Sequence, residues 1–282
     1  MQTDLVKKTA PVFAALLSAL MFSFGGLIIK LSPWQSLSIN GARNMVAAVI
    51  TFIWLKSTGH KIVLNKSVFI SAFAMCYTTT AYCVANKLTT AANTILLQFT
   101  SPVFVIILSL LIWKQRPTKR DVLMCVTVFT GICLCFCESL QGGSIAGDLI
   151  ALSSGISYAV VFMCNKMKGG DAKSTFLVGE IMSSIVCLPF LVQETDFSAP
   201  AVGWGLILGM FLGCGYALLS VALKSISPVQ ANLISAIEPV LNPIWVAVFY
   251  DETVSGLALA GFVIVVASIV FFNLPSKKAA GA

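Results

Sequence analysis

Gln98-Phe99-Thr100-Ser101-Pro102-Val103 falls on Ser235-Ala236-Ile237-Glu238-Pro239-Val240 when the chain is laid over itself with a shift of about 137 residues. Both hexapeptides sit inside long apolar runs, and both carry proline at the same place. An interior proline removes an amide and crowds the carbonyl four residues back. Two of them at matching positions therefore point to an internal duplication. Weaker matches lie on either side: Arg43 falls opposite Glu180, and Gly131 opposite Ser268.

The surroundings of the two hexapeptides set the solvent. Of 282 residues, 58% are hydrophobic and 10% charged, with a mean hydropathy of +0.94. A soluble domain carries about 25% charged residues. So few charges cannot cover a water-soluble globule, and the pI near 9.0 does not make the chain a nucleic-acid binder. Lipid is the remaining solvent. The nine Cys are scattered through apolar stretches without a C-x-x-C pair, and read as small buried hydrophobes, not disulfide or metal ligands. No cofactor is expected.

Outward from the hexapeptides, ten apolar stretches can be cut: Pro11–Ile29, Leu37–Leu55, Val68–Ala85, Ala91–Trp113, Val122–Phe136, Leu149–Cys164, Phe176–Val192, Val202–Leu223, Val229–Tyr250 and Gly256–Phe272. Most approach the ~20 residues that span a bilayer as a helix. The first reads as a span and not a cleaved signal, since nine more follow. With the N-terminus placed in the cytoplasm, only Lys30 and Lys87 of the 18 basic residues fall outside, and Arg43 lies within the second span. Cytoplasmic loops carry the excess of Lys and Arg, so ten spans with both termini inside satisfy the charge pattern. The expected fold is an all-α polytopic membrane protein. Its ten transmembrane helices form two five-helix repeats, 1–139 and 140–282. Five is odd, so the second repeat enters the membrane inverted, an arrangement suited to alternating access. A duplication kept only for packing is the plainer reading.

Pro102 and Pro239 free the carbonyls of Gln98 and Ser235. These are equivalent positions, and the kinks read as access switches or as plain structural bends. At 100° per residue Ser235, Glu238 and Asn242 share a face, with Asn232 nearby. Thr94, Gln98 and Ser101 make the matching stripe, with Asn93 to its side. Polar stripes imply a wet interior. Arg43, Glu180 and Glu238 are charges inside spans, each a functional candidate by default. Glu238, on the stripe and beside a kink, suits a cationic group or a travelling proton; capping freed amides is its structural alternative. Arg43 and Glu180 are candidates for pairing across the halves. Tyr82, Tyr158 and Trp245 are deep aromatics, either walls for an amine or packing. Gly205, Gly209 and Gly213 permit close helix approach, within the chain or at a dimer face.

With these residues in hand, the chain resembles the EamA family of the drug/metabolite transporter superfamily. The resemblance rests on Ile237-Glu238-Pro239-Val240-Leu241-Asn242-Pro243-Ile244-Trp245, on Asp251-Glu252 and Gly261, on Thr100-Ser101-Pro102-Val103-Phe104 with Gly131, and on Arg43. It covers nearly the whole length. It implies a 5+5 inverted-repeat transporter with a cavity lined mainly by the first, third, fourth, sixth, eighth and ninth spans, moving amino acids, amines or other small metabolites. Met124, Ser268 and Gln115 depart from the commoner pattern at packing positions and helix ends.

The expectation is a secondary transporter of small polar or cationic organic metabolites in a bacterial cytoplasmic membrane. It would act as a monomer, without nucleic-acid partners, with protons or Na⁺ as candidate coupling ions. Glu238, Asn232, Asn242, Gln98 and Asn93 would supply polar contacts, and Tyr82, Tyr158 and Trp245 walls. A passive facilitator of a small neutral solute is the alternative. An intramembrane enzyme lacks a reactive constellation, since the sole histidine, His60, lies in a loop and no Asp lies in mid-span.

Overall fold

Hydrocarbon offers no hydrogen bond to an open backbone, so a spanning segment without barrel partners becomes a helix. The computed structural model describes residues 2–89, 91–137, 144–250 and 256–273. They fold as α1 (Gln2–Leu31), α2 (Ser36–Ser57), α3 (Lys66–Leu88), α4 (Ala91–Gln98), α5 (Ser101–Trp113), α6 (Lys119–Phe136), α7 (Ile145–Phe162), α8 (Ala172–Leu191), α9 (Ala199–Ala222), α10 (Pro228–Ser235), α11 (Ile237–Tyr250) and α12 (Gly256–Asn273). α2, α3, α4–α5, α7, α8 and α9 are long and apolar enough to cross a membrane by length and composition alone. α1 and α12 contain shorter apolar helices, Thr9–Gly25 and Gly256–Phe272. With α6 and α10–α11 they complete ten spans.

The fourth and ninth spans are each two helices. α4 stops at Gln98 and α5 restarts at Ser101, which puts Pro102 in the first turn of α5, where a missing amide leaves no gap. α10 stops at Ser235 and α11 restarts at Ile237. The expected kinks are thus clean breaks. At the first break the carbonyls of Leu97 and Gln98 press on α7, where a side-chain carbon at Gly155 would lie 2.9 Å from both oxygens. The two breaks touch. Ser101 Oγ donates to Asn232 Oδ1 at 2.9 Å, joining the first half to the second.

Helix partners reveal a twofold relation. α2 packs on α8 and α6 on α12, pairing equivalent spans. α3 packs on α7 as α9 packs on α1, and α2 on α9 as α8 on α3. Loop contacts give the polarity. The α2–α3 loop meets the α7–α8 loop, with Asn65 Nδ2 donating to the Gly169 carbonyl at 2.7 Å and Ser67 Oγ to that of Lys168 at 2.7 Å. The α1–α2 loop meets the α8–α9 loop, where Glu194 Oε1 accepts from the Gln35 amide at 2.9 Å. The first loop of one half therefore lies on the face opposite the first loop of the other, and the halves are inverted. The start of α1 and the end of α12 share one face, here called the chain-end face.

The glycine stripe of α9 lies on α2. A side-chain carbon at Gly209 would run into Val46 and come within 2.8 Å of the Arg43 carbonyl, and one at Gly213 within 3.1 Å of the Ala47 backbone. The stripe serves packing within the chain. Gly203, at the outer end of α9, has nothing within 4 Å. Gly209→Val is expected to destabilise the protein by about 1–3 kcal/mol through overpacking, while Gly203→Ala leaves it unchanged or slightly firmer. Thermal unfolding of the two purified variants in detergent checks the contrast.

Candidate functional site

Between the halves lies a cavity of about 90 Å³, several times the ~10–15 Å³ that one water needs on the same measure. Its walls come from α1, α2, α3, α4, α7, α9 and α11. The participation of α2 differs from the lining that the resemblance implied. It arises because the α9 glycines draw α2 inward, which brings Arg43 to the cavity.

The polar groups on the walls differ in what they already bind. Thr78 and Thr79 are engaged with the Ala74 and Cys76 carbonyls and with Ser157 and Ser183. Gln98 Nε2 donates to Ser154 Oγ at 3.3 Å. Arg43 donates from Nε and one terminal nitrogen to Asn40 Oδ1, at 3.0 and 2.8 Å. Glu238 makes no hydrogen bond or ion pair among the described residues, nor do the hydroxyls of Tyr158 and Tyr216 make a hydrogen bond there. The cavity therefore presents one carboxylate, two phenols and part of a guanidinium to a solute. Aromatic rings hold the two phenols: Phe22, in the cavity wall, and Phe176, behind it, pack on Tyr216, and Phe99, in the wall, and Phe162, behind it, meet Tyr158 edge-on.

Glu238, Gln98, Tyr82, Tyr158, Pro239 and Arg43 line this space. Other sequence candidates stand elsewhere. Asn232 is fully buried at the junction of the breaks, with Nδ2 unpartnered. Pro102 is buried in the first turn of α5. Asn93 donates to Thr89 Oγ1 and Asp148 Oδ1, tying α4 to α7 at the face opposite the chain ends. Trp245 stands behind Phe24, stacked on it at 4.6 Å with its indole N–H on Ser23 Oγ at 2.9 Å. The side chain of Asn242 lies outside the described residues. Arg43 and Glu180 do not pair; Glu180 accepts from Thr51 Oγ1 at 3.2 Å instead. Tyr216 also belongs to the site, and its depth within the eighth apolar stretch is the sequence signal for it.

Most lining residues sit from the middle of the helices toward the face opposite the chain ends, while Tyr158 and Tyr216, in the last turns of α7 and α9, form the end of the cavity nearest the chain-end face. Toward the chain-end face the protein is solid. Phe162, Met163, Phe176, Leu219, Leu233 and Ile234 are each at most 1% exposed. Outside this layer lies a latch between the halves. His60 Nε2 sits 2.8 Å from Asp171 Oδ2, and the same oxygen accepts from the backbone and hydroxyl of Ser174 at 2.9 and 2.6 Å. Ser174 Oγ also accepts from the Val63 amide at 2.9 Å. Burial raises the Asp171 carboxyl, but the bonds from Ser174 and His60 outweigh it and hold its pKa below the usual carboxylate range.

A model of the EamA-like transporter family matches residues 9–137 and 145–274. An uncharacterized transporter of Archaeoglobus fulgidus is 23% identical over 178 residues, covering 62% of this chain and 64% of that protein. A solved structure titled only as the crystal structure of a protein superposes with a TM-score of 0.80 at 12% identity, over 95% of this chain and 99% of that one.

Because its pKa is lowered on folding, the Asp171 contribution to stability is present above the unfolded carboxylate range and lost as pH falls through the folded value. Asp171→Ala is expected to lower stability near neutrality by about 0.5–2 kcal/mol, the usual loss for an N-cap. Taken below pH ~4, the wild type should drift toward the variant. Thermal midpoints of both proteins across that range measure the convergence.

Proposed function

The chain belongs to the EamA-like transporter family and is a multi-pass membrane transporter; from that premise we propose that it carries small polar or cationic organic solutes, of the amino-acid and amine class, by alternating access. The membrane is a bacterial cytoplasmic membrane and both termini lie in the cytoplasm, in keeping with the Lys and Arg that crowd the chain-end loops.

One observation carries the substrate class. The Glu238 carboxylate, one residue before Pro239 at the start of α11, faces the cavity with no hydrogen bond or ion pair among the described residues. A charge at membrane depth costs ~2.5–3.5 kcal/mol or more, so it persists where water or an opposite charge can meet it. An ammonium group answers that need. The rings of Phe22, Phe99 and Phe211 around it add cation–π attraction of about 0.5–2 kcal/mol. Arg43, on the other side of the same cavity, accommodates an anionic or carbonyl end of the solute. Asn232, Asn93, Asn242 and Trp245 act around this centre, at the breaks and the outer wall, with Pro102 and Pro239 holding the breaks.

The apolar layer toward the chain-end face supports a carrier over a channel: an open channel holds a continuous wet path, whereas six side chains at most 1% exposed fill this end. The twofold pairing of helices supplies the second state, in which each half takes up the arrangement now held by the other.

A thermal-shift screen of the purified protein against amino acids, amines, nucleobases and sugars should show stabilisation by an amine or amino acid, since a ligand of the folded state raises its stability by mass action. Glu238→Gln should keep the fold and weaken that ligand at least tenfold, about 1.4 kcal/mol. Stabilisation by neutral sugars alone, or an unchanged affinity in the variant, would remove Glu238 from the site.

A further inference from the structure

Glu180 is a second intramembrane acid, and nothing in the cavity uses it. It sits on α8 at 0% exposure, one turn above Phe176 in the closed layer. Thr51 Oγ1 of α2 donates to Oε1 at 3.2 Å, while Oε2 has no hydrogen-bond partner among the described residues. The other side has no slack, since a side-chain carbon at Gly179 would come within 2.6 Å of the Met75 sulfur of α3.

Among the described residues no counter-ion reaches it. The charged and titratable residues on the packed elements are Arg43 and Lys56 of α2, Lys66, Cys76, Tyr77, Tyr82, Cys83 and Lys87 of α3, Cys214 and Tyr216 of α9, Cys164 and Lys166 of the turn after α7, and Lys173 and Cys187 of α8 itself. Arg43 is held by Asn40. Lys56 lies over the Phe52 ring at 5.6 Å and Lys173 over Trp54 at 4.3 Å. Tyr216 faces the cavity. No described side chain among them hydrogen-bonds or ion-pairs with Glu180. An ionised carboxylate with a bare oxygen in such a place is far costlier than the neutral acid. One carboxyl and one hydroxyl are also too few oxygens for a metal cation.

We propose that Glu180 is a proton-binding site built into the gate: it holds a proton while the chain-end layer is closed and releases it to the chain-end side when the layer opens. This rests on the alternating-access reading, because the layer must open for water to reach the group. The step is a simple ionisation, in which the carboxylic acid becomes a carboxylate and one proton enters the water of that face. Closure reverses it, taking one proton from the same water. Opening is therefore linked to pH on the chain-end side, and alkaline pH there favours the open layer. Where the opened group is ionised, the open-to-closed ratio changes up to tenfold per pH unit.

The layer carries its own reporter. Cys164, two residues after the end of α7, is a free thiol at 0% exposure. Its maleimide labelling rate, read by mass spectrometry of the reconstituted protein, reports opening without any substrate. Thiol reactivity itself varies with pH, so the quantity to follow is the ratio of wild type to Glu180→Gln at each pH. Glutamine copies the neutral acid and cannot ionise. The ratio should rise with pH on the chain-end side, by up to tenfold per unit. A flat ratio overturns the role of Glu180 and leaves the transporter reading intact. Failure of Cys164 to label under any condition overturns both, since the layer then never opens. If Glu180→Gln does not fold, the wild type alone decides. Its infrared spectrum should contain a protonated-carboxyl band that survives transfer into heavy water and is then lost slowly, at a rate no lower than that at which Cys164 labels. Absence of such a slowly exchanging band overturns the proposal.

Discussion

The hydroxyl of Ser101 donating to Asn232 at 2.9 Å joins the two broken spans at the centre of the molecule. A break in a spanning helix exposes amides and carbonyls that hydrocarbon cannot satisfy. It is tolerable only where protein or a wet cavity covers it. Each half brings one break, and inversion brings the two together. The polar groups of the breaks thereby form a common interior, with Gln98 and Glu238 on the cavity side and the Leu97 and Gln98 carbonyls against Gly155 on the other. The cavity is a consequence of where the breaks must be hidden.

Close packing elsewhere serves the same end. Most contacts between spans run between halves: α2 with α8 and α9, α3 with α7 and α8, α1 with α9. Small residues let these helices approach until backbone meets side chain, as Gly209 does with Val46 and Gly41 with Cys187, where a side-chain carbon at position 41 would lie 3.0 Å from the Cys187 Cβ. A bundle held in this way has two halves that interlock but are not fused. Its equivalent helices can exchange roles while the helices themselves stay intact.

The division into spans was legible because charge and apolarity obey the bilayer and not the detail of packing. Lys30 and Lys87 were the sole basic residues on the far side, and the loops found together, 58–65 with 163–171, are those the charge pattern had grouped. The breaks were legible through Pro102 and Pro239, though proline alone does not distinguish a kink from a break. What opposes Gly155 decides that, and it lies 57 residues away from Gln98 in the chain. Side-chain partners were less legible. Asn93 and Asn232 lie beside the polar stripes of Gln98 and Glu238, yet Asp148 and Ser101 claim them. Phase identifies a face and leaves the height along the helix open, and height determines whether a polar group meets the cavity or a neighbouring helix.

The same dependence on height separates Arg43 from Glu180. They occupy matching positions in the two repeats, and their helices α2 and α8 pack on each other. Opposite charges on contacting helices invite an ion pair. The helices cross about the twofold, so Glu180 meets Thr51, eight residues and ~12 Å beyond Arg43 on α2. Each charge is thus left on its own side of the midplane, Arg43 toward the open cavity and Glu180 in the closed layer. An ion pair would have bound the two helices in one arrangement. In the transport cycle proposed above, separation lets the environment of each change independently, so that the two charges, misaligned with each other, would remain available to solute on one side and to water on the other.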